Sequence, residues 1–117
     1  MIESTVINWL NANGFTAYGE EPKNEYPNEN NSRDAFLVVQ KTGGGMVNHL
    51  RNATIAVQSY APTLAEAAQL NEAVITVMEN VVELADITAV RLNSDYEFSK
   101  TSTKQPRYQA LFEIYYY

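Results

Sequence analysis

The chain has 117 residues, 45% of them hydrophobic and 19% charged, with a formal charge of −6. A chain of this size can build one globular domain around its own core without metal or disulfide support. The acidic balance argues against a protein that grips nucleic-acid phosphates, and the absence of cysteine excludes a disulfide scaffold, a thiolate metal centre and a cysteine nucleophile.

The opening Met1-Ile2-Glu3-Ser4 lacks the basic and apolar regions of a signal peptide. No apolar stretch reaches the roughly 20 residues needed to span a bilayer. A reducing cytoplasm is the expected site of synthesis and folding. Residues 2–13 read as a short amphipathic helix, with Ile2, Val6, Trp9 and Leu10 at helical spacing. Asn13-Gly14 is its stop signal, since both residues tolerate the left-handed conformation that closes a helix. Phe15 to Glu20 is expected as a short strand.

Composition then shifts. Gly19 to Asp34 (GEEPKNEYPNENNSRD) holds Tyr26 as its only large apolar residue, which leaves little burial to offset ordering. It is expected as a solvated, mobile loop or an arm that orders against a neighbouring subunit. Ala35 to Lys41 (AFLVVQK) is apolar on both strand faces and is expected to be central and covered. Gly43-Gly44-Gly45 suits a turn, and Ala53 to Tyr60 is the next strand, with Ile55 and Val57 on one face and Thr54, Ala56 and Gln58 on the other. The link from Gly43 to Asn52 is long for a hairpin, so its tip is expected to project.

Thr63 with Glu66 is a capping box that opens the strongest element, a helix predicted to run to about Ala85. Ala67, Leu70, Val74, Val77, Met78, Val81 and Leu84 trace its apolar stripe. Thr88 to Phe98 alternates as a half-buried antiparallel strand, with Val90, Leu92, Tyr96 and Phe98 on one side and Arg91, Asn93, Asp95 and Glu97 on the other. Ser99 to Pro106 is turn-like. Arg107 to Tyr117 is the last strand, with Tyr108, Ala110, Phe112, Ile114 and Tyr116 on one face and Leu111, Tyr115 and Tyr117 on the other. The predicted architecture is one α+β domain over residues 1–117. Its sheet is mainly antiparallel and four-stranded, with a further short strand, and two helices pack on one face.

The chemistry is sparse. His49 is the only histidine, and it is expected as an exposed loop residue beside the glycine turn. Asp95 and Glu97 share a strand face where solvation explains them. Gly43-Gly44-Gly45 lacks the following Gly-Lys-[Ser/Thr] of a phosphate loop. No catalytic residue, cofactor or metal site emerges, and the chain does not read as an enzyme. The oddity is Phe112-Glu113-Ile114-Tyr115-Tyr116-Tyr117, whose aromatics cannot all enter one core. Read as an edge strand with surplus tyrosine, this segment is a candidate subunit interface.

The order of four short motifs resembles a known family. Leu37 to Gly45 and Ala53 to Tyr60 give strand–Thr-Gly-Gly–loop–strand. Leu64-Ala65-Glu66-Ala67-Ala68 opens a capped helix, Tyr96-Glu97-Phe98 ends a strand, and Pro106-Arg107-Tyr108 begins the last one. Together they look like the small tail terminator (tail completion) proteins of long-tailed, non-contractile phages and prophages, across residues 1–117. The Gly19–Asp34 stretch departs from that pattern, as does Gln58-Ser59-Tyr60, where relatives commonly carry tryptophan. The resemblance implies a structural virion protein at the head-proximal end of the tail, assembled in the host bacterial cytoplasm. Such a protein forms a homo-oligomeric, typically hexameric, ring that caps the tail tube, ends its polymerisation and presents a surface to the head–tail connector. DNA passes through the ring without being bound, and no membrane is involved. On that reading Tyr108, Phe112, Tyr115, Tyr116 and Tyr117 are expected at the subunit interface. Gly43, Gly44, Gly45, Met46 and His49 would touch tube or connector, and Asp95 and Glu97 would lie in an acidic lumen. A stopper or head-completion protein on a similar fold is the neighbouring alternative. A small ligand-binding domain would need converging polar groups that the sequence does not supply.

Overall fold

The computed structural model describes residues 2–20, 35–47, 49–97 and 106–117, with Val47 described in its backbone only. Residues 21–34, most of the expected polar loop, lie outside this set. So do Phe98 and nearly all of the turn-like segment that follows it. The elements, in chain order, are α1 (Ile2–Ala12), β1 (Ala17–Tyr18), β2 (Phe36–Val47), β3 (Leu50–Tyr60), α2 (Leu64–Glu79), a 3-10 turn (Val81–Glu83), β4 (Ile87–Glu97) and β5 (Arg107–Tyr116).

The architecture is α+β. Among the described residues one five-stranded sheet has the order β1-β2-β3-β5-β4. The four long strands are antiparallel throughout, as expected. The short β1 pairs parallel to β2 through Ala17↔Leu37 and Tyr18↔Val38, which makes the sheet mixed.

Both helices lie on one face. Ile2, Val6 and Leu10 of α1 and Val74 and Met78 of α2 join Leu37, Val39, Ala53, Ile55, Val57, Ala110, Phe112 and Ile114 in one buried cluster. In the antiparallel register these strand residues occupy the same side of the pleat. Each large side chain buried there contributes about 1.5–3 kcal/mol. Helix α1 stops where expected, with Gly14 at φ 93°. The Trp9 indole N–H donates to the Val77 carbonyl at 3.1 Å, tying α1 to α2.

Helix α2 starts as its capping residue dictates. The Glu66 N–H donates to Thr63 Oγ1 at 3.2 Å, and Thr63 is extended. The helix is shorter than predicted, ending at Glu79. Asn80 then caps it, a 3-10 turn follows, and Leu84 is extended. The apolar stripe is continuous across this break, so periodicity alone overran it. Ala67, Val74, Met78 and Val81 are fully buried, and Leu70, Val77 and Leu84 pack at the margin.

Three strand expectations are corrected. The glycine triplet is not a turn: Gly43, Gly44 and Gly45 sit inside β2, paired with Thr54, Ala53 and Asn52. The hairpin closes four residues later in sequence, between the paired residues Val47 and Leu50. There His49 has φ 67°, a left-handed conformation suited to a two-residue hairpin turn. Second, β4 is not half-buried. Ile87 is buried, Val90 is partly covered and the remainder is exposed, because β4 is the outermost strand. Third, β5 is not an edge strand. It runs between β3 and β4, so both of its backbone sides are paired.

A prediction tests the cap. Thr63→Ala should lower unfolding stability by about 1 kcal/mol, and Thr63→Ser should restore most of it. Urea titration of the three proteins checks both.

Candidate functional site

The sheet has two distinct ends. At one end β2 and β3 close as a hairpin whose last pair, Val47↔Leu50, lies one step beyond the last β3–β5 pair, Arg51↔Tyr116; up to there β2 is the outer long strand of the sheet. Gln40 to Met46 are exposed on one strand and Arg51 on the other. Met46 is 57% exposed, a large apolar side chain without cover among the described residues. His49 is exposed at the tip. The sequence-selected Gly43, Gly44, Gly45 and Met46 lie along the outer strand β2 and His49 at the hairpin tip; they form a sheet edge and its turn, not a projecting loop.

The five sequence-selected aromatic positions do not form one surface. Phe112 is 1% exposed and belongs to the core beneath the helices, so it is withdrawn from the subunit surface. Tyr116 lies on the same face and packs against that core. Tyr108 pairs with Ser59 and Glu97, also on the helix side, and is half-buried. Tyr115 points to the opposite face, and its carbonyl accepts the Thr88 hydroxyl at 3.1 Å. Only Tyr117, 72% exposed, is presented outward, with its N–H bonded to the Asp86 carbonyl. Alternation within a paired inner strand divides consecutive tyrosines between two faces.

Asp95 and Glu97 are also placed differently from expectation. A register shift between Leu92 and Ser94 inserts Asn93 as a bulge. Past it the facing reverses. Asp95 pairs with Ala110 and Glu97 with Tyr108, which puts both on the helix side with Val90 and Leu92. Tyr96, opposite Gln109, moves to the other face. Asp95 accepts a hydrogen bond from Asn71 Nδ2 of α2 at 3.1 Å. Asn71 is 1% exposed, and among the described residues its Oδ1 finds no partner, nor does the buried Ser59 Oγ. Sequence reasoning missed Asn71, although its spacing from Ala67, Val74 and Met78 puts it within the buried stripe.

On the face away from the helices lies a polar chain that the sequence did not announce. The Arg107 guanidinium donates to the Tyr60 hydroxyl at 2.8 Å and sits 5.4 Å from that ring's centre. The Tyr60 hydroxyl donates to Gln58 Oε1 at 3.1 Å. Gln58 Nε2 donates to Gln109 Oε1 at 2.9 Å, and Gln109 Nε2 reaches the Tyr96 hydroxyl at 2.6 Å. Arg107, Gln58 and Gln109 are at most 9% exposed, and Tyr60 is fully buried. Phe36 stacks on Tyr60 with ring centres 4.6 Å apart, and Tyr18 meets Phe36 edge-on. Buried polar groups need such partners, so this chain fixes β3, β5 and β4 in register.

An open hollow of about 390 Å³ lies where the start of α1 meets the β2–β3 hairpin. Glu3 and Asp86 face Lys41 and Arg51 around it, with Tyr116 and Tyr117 on its wall. Its charges are mixed, which gives no single-sign ligand a preference. Among the described residues no group of three or more His, Asp or Glu side chains could hold a metal ion. No described helix is long and apolar enough to cross a membrane. No protein-family model matches the chain, and no curated protein matches its sequence.

The polar chain makes a prediction. Tyr60→Phe keeps the stacking on Phe36 but removes the hydroxyl that accepts from Arg107 Nη1 and donates to Gln58 Oε1. It should cost about 1–3 kcal/mol of stability, as expected for buried groups left unsatisfied. Tyr96→Phe, at an exposed position, should cost less. Chemical denaturation of both variants checks the ranking.

Proposed function

We propose that this chain is a structural subunit of phage tail assembly: a tail terminator that closes into a ring, hexameric in the family it resembles. The ring caps the tail tube, stops further tube subunits from adding, and offers its other surface to the head–tail connector. Its work is contact, not catalysis, and it belongs at the head-proximal end of the tail.

The observation that carries this reading is the exposed outer stretch of the β2–β3 hairpin. It bears the Thr42-Gly43-Gly44-Gly45 motif that opens the resemblance, is exposed from Gln40 to Met46, and ends in a tip where His49 is exposed. An exposed strand and turn ordered by backbone pairing are suited to meeting a partner. The supporting features are negative charge and scant chemistry. A formal −6 per subunit makes a ring strongly acidic, and an acidic passage repels DNA phosphates. Asp95 and Glu97 remain the proposed lumen acids, now assigned to the helix side of the sheet.

The test is addition of the purified protein to polymerising tail-tube protein. Tubes should stop growing, and labelled protein should appear at one tube end in electron micrographs. Replacing residues 46–51 with Asn-Gly closes the hairpin at the Gly45↔Asn52 pair and removes its tip. That variant should remain folded by circular dichroism and lose capping. Unchanged tube growth with the parent protein would overturn the terminator reading. Binding to isolated head connector without any effect on tubes would move the protein to the head side of the joint.

A further inference from the structure

The antiparallel order leaves two long strands at opposite ends of the sheet. Strand β4 pairs only with β5, and no described strand lies on its outer side. Strand β2 is covered by β1 only at Leu37 and Val38, so its outer side from Gln40 to Val47 faces no described strand. Such edges are templates for further pairing unless something blocks them. Neither the Ala89–Asp95 stretch of β4 nor the Gln40–Val47 stretch of β2 contains proline.

We propose that these two edges are halves of one contact: the outer edge of β4, Ala89–Asp95, adds the outer edge of β2, Gln40–Val47, of a second copy of this chain. The inference rests on the ring-forming reading above, for which it names the contact surface.

Direction supports a second copy as the occupant. Each step from β2 to β3 to β5 to β4 reverses the strand, so β4 runs opposite to β2. A copy set alongside in the same orientation brings its β2 antiparallel to the first copy's β4. No inversion is needed, and the contact is head-to-tail, as a ring requires.

Side chains support it as well. The sheet register places Gly43, Thr54, Glu113 and Arg91 in one row, and Lys41, Ile55, Phe112 and Leu92 in another. With the copies level, Arg91 meets the bare backbone of Gly43. Lys41 is the only charged residue in Gln40–Val47. It shares the helix-side face with Asp95, whose row is that of Val39, two residues away along β2. Diagonal cross-strand neighbours lie about 7–8 Å apart, within reach of a lysine.

The glycines add an independent argument. None of Gly43, Gly44 or Gly45 has positive φ, so backbone conformation does not demand glycine. A Cβ at Gly44 would meet the Asn52 carbonyl oxygen at 3.0 Å and Lys41 Cε at 2.9 Å, which explains that one. A Cβ at Gly43 would meet only Thr54 Oγ1, at 3.9 Å, and one at Gly45 would meet the movable Asn52 side chain at 3.3 Å. Within the subunit these two positions accept a side chain, yet glycine weakens a strand. Beside a level second copy Gly43 falls opposite Arg91, and its bare backbone leaves room for that long side chain to lie across it.

The absence of cysteine makes the test direct. Chains carrying Gln40→Cys alone and Arg91→Cys or Ser94→Cys alone are mixed and treated with a short bismaleimide; Gln40 and Ser94 share one row of the register. All these positions are exposed, and they share the face away from the helices. Each variant is first shown to melt like the parent. Crosslinked heterodimers should dominate over homodimers, and a chain carrying both cysteines should give a ladder of higher oligomers. Dominant homodimers of the β4 variants would overturn the proposal in favour of a two-fold contact. Oligomers in which the paired cysteines fail to crosslink would overturn it, and so would a monomer at every concentration. Tube capping is read separately. Capping without crosslinks removes this contact and keeps the terminator, whereas crosslinks without capping keep the contact and remove the terminator.

Discussion

The ladder between β3 and β5 is the constraint on which the rest of the sheet depends. All but one of β3's residues pair with β5, from Arg51↔Tyr116 to Tyr60↔Arg107. One face of this ladder carries Ile55, Val57, Ala110, Phe112 and Ile114 into the core under the helices. The other carries the polar chain from Arg107 through Tyr60, Gln58 and Gln109 to Tyr96. The two strands are far apart in sequence: the Gln58–Gln109 bond joins residues 51 positions apart. Strand β4 precedes β5 in the chain but reaches the sheet only through it. The β4–β5 hairpin therefore joins the sheet only through the loop closure between β3 and β5, whose entropy cost precedes the contacts that closure gains. The β2–β3 hairpin and α2 are local and carry no such cost.

This order of dependence explains what the sequence revealed. Helix α2 was legible because a capping box and a sustained apolar stripe are both local signals. The two faces of β3 and β5 were legible because strict alternation survives wherever a strand is regular. What failed was whatever one neighbour decides for another. Nothing within Phe112 to Tyr117 says that a strand lies on each side, so an inner strand read as an edge. The glycine triplet read as a turn because glycine serves both turns and close backbone approaches. Only the partner residues on β3 separate the two.

The β4 bulge shows how one residue redirects a surface. Val90 and Leu92 alternate as predicted, and uninterrupted alternation would have put Asp95 on the opposite face. Asn93 absorbs one position, and Asp95 instead turns beneath α2 to accept from Asn71. The carboxylate thereby satisfies a donor that is buried in the stripe of α2. Tyr96, displaced to the far face, ends the polar chain. A single bulge thus couples the helix layer to the network on the opposite side of the sheet. The acidic residues could not be placed from sequence because their facing depends on this irregularity, which alternation does not encode.

Proteins with exposed edges blunt them with charge, proline, bulges or a covering element. Strand β4 uses bulges, at Thr88 and Asn93, and between them leaves Ala89 to Leu92 regular with Arg91 as its only charge. Outer strand β2 has one irregularity, at Thr42, and beyond it a run of glycine. Gly44 is held bare by Asn52 and Lys41 within the subunit, which leaves Gly43 and Gly45, each lowering strand stability by roughly 0.5–1 kcal/mol relative to alanine. Under the proposed contact between copies, the cost at Gly43 would be offset where its bare backbone leaves room for the neighbour's Arg91. The bulges of β4 would then limit how many registers that edge can accept.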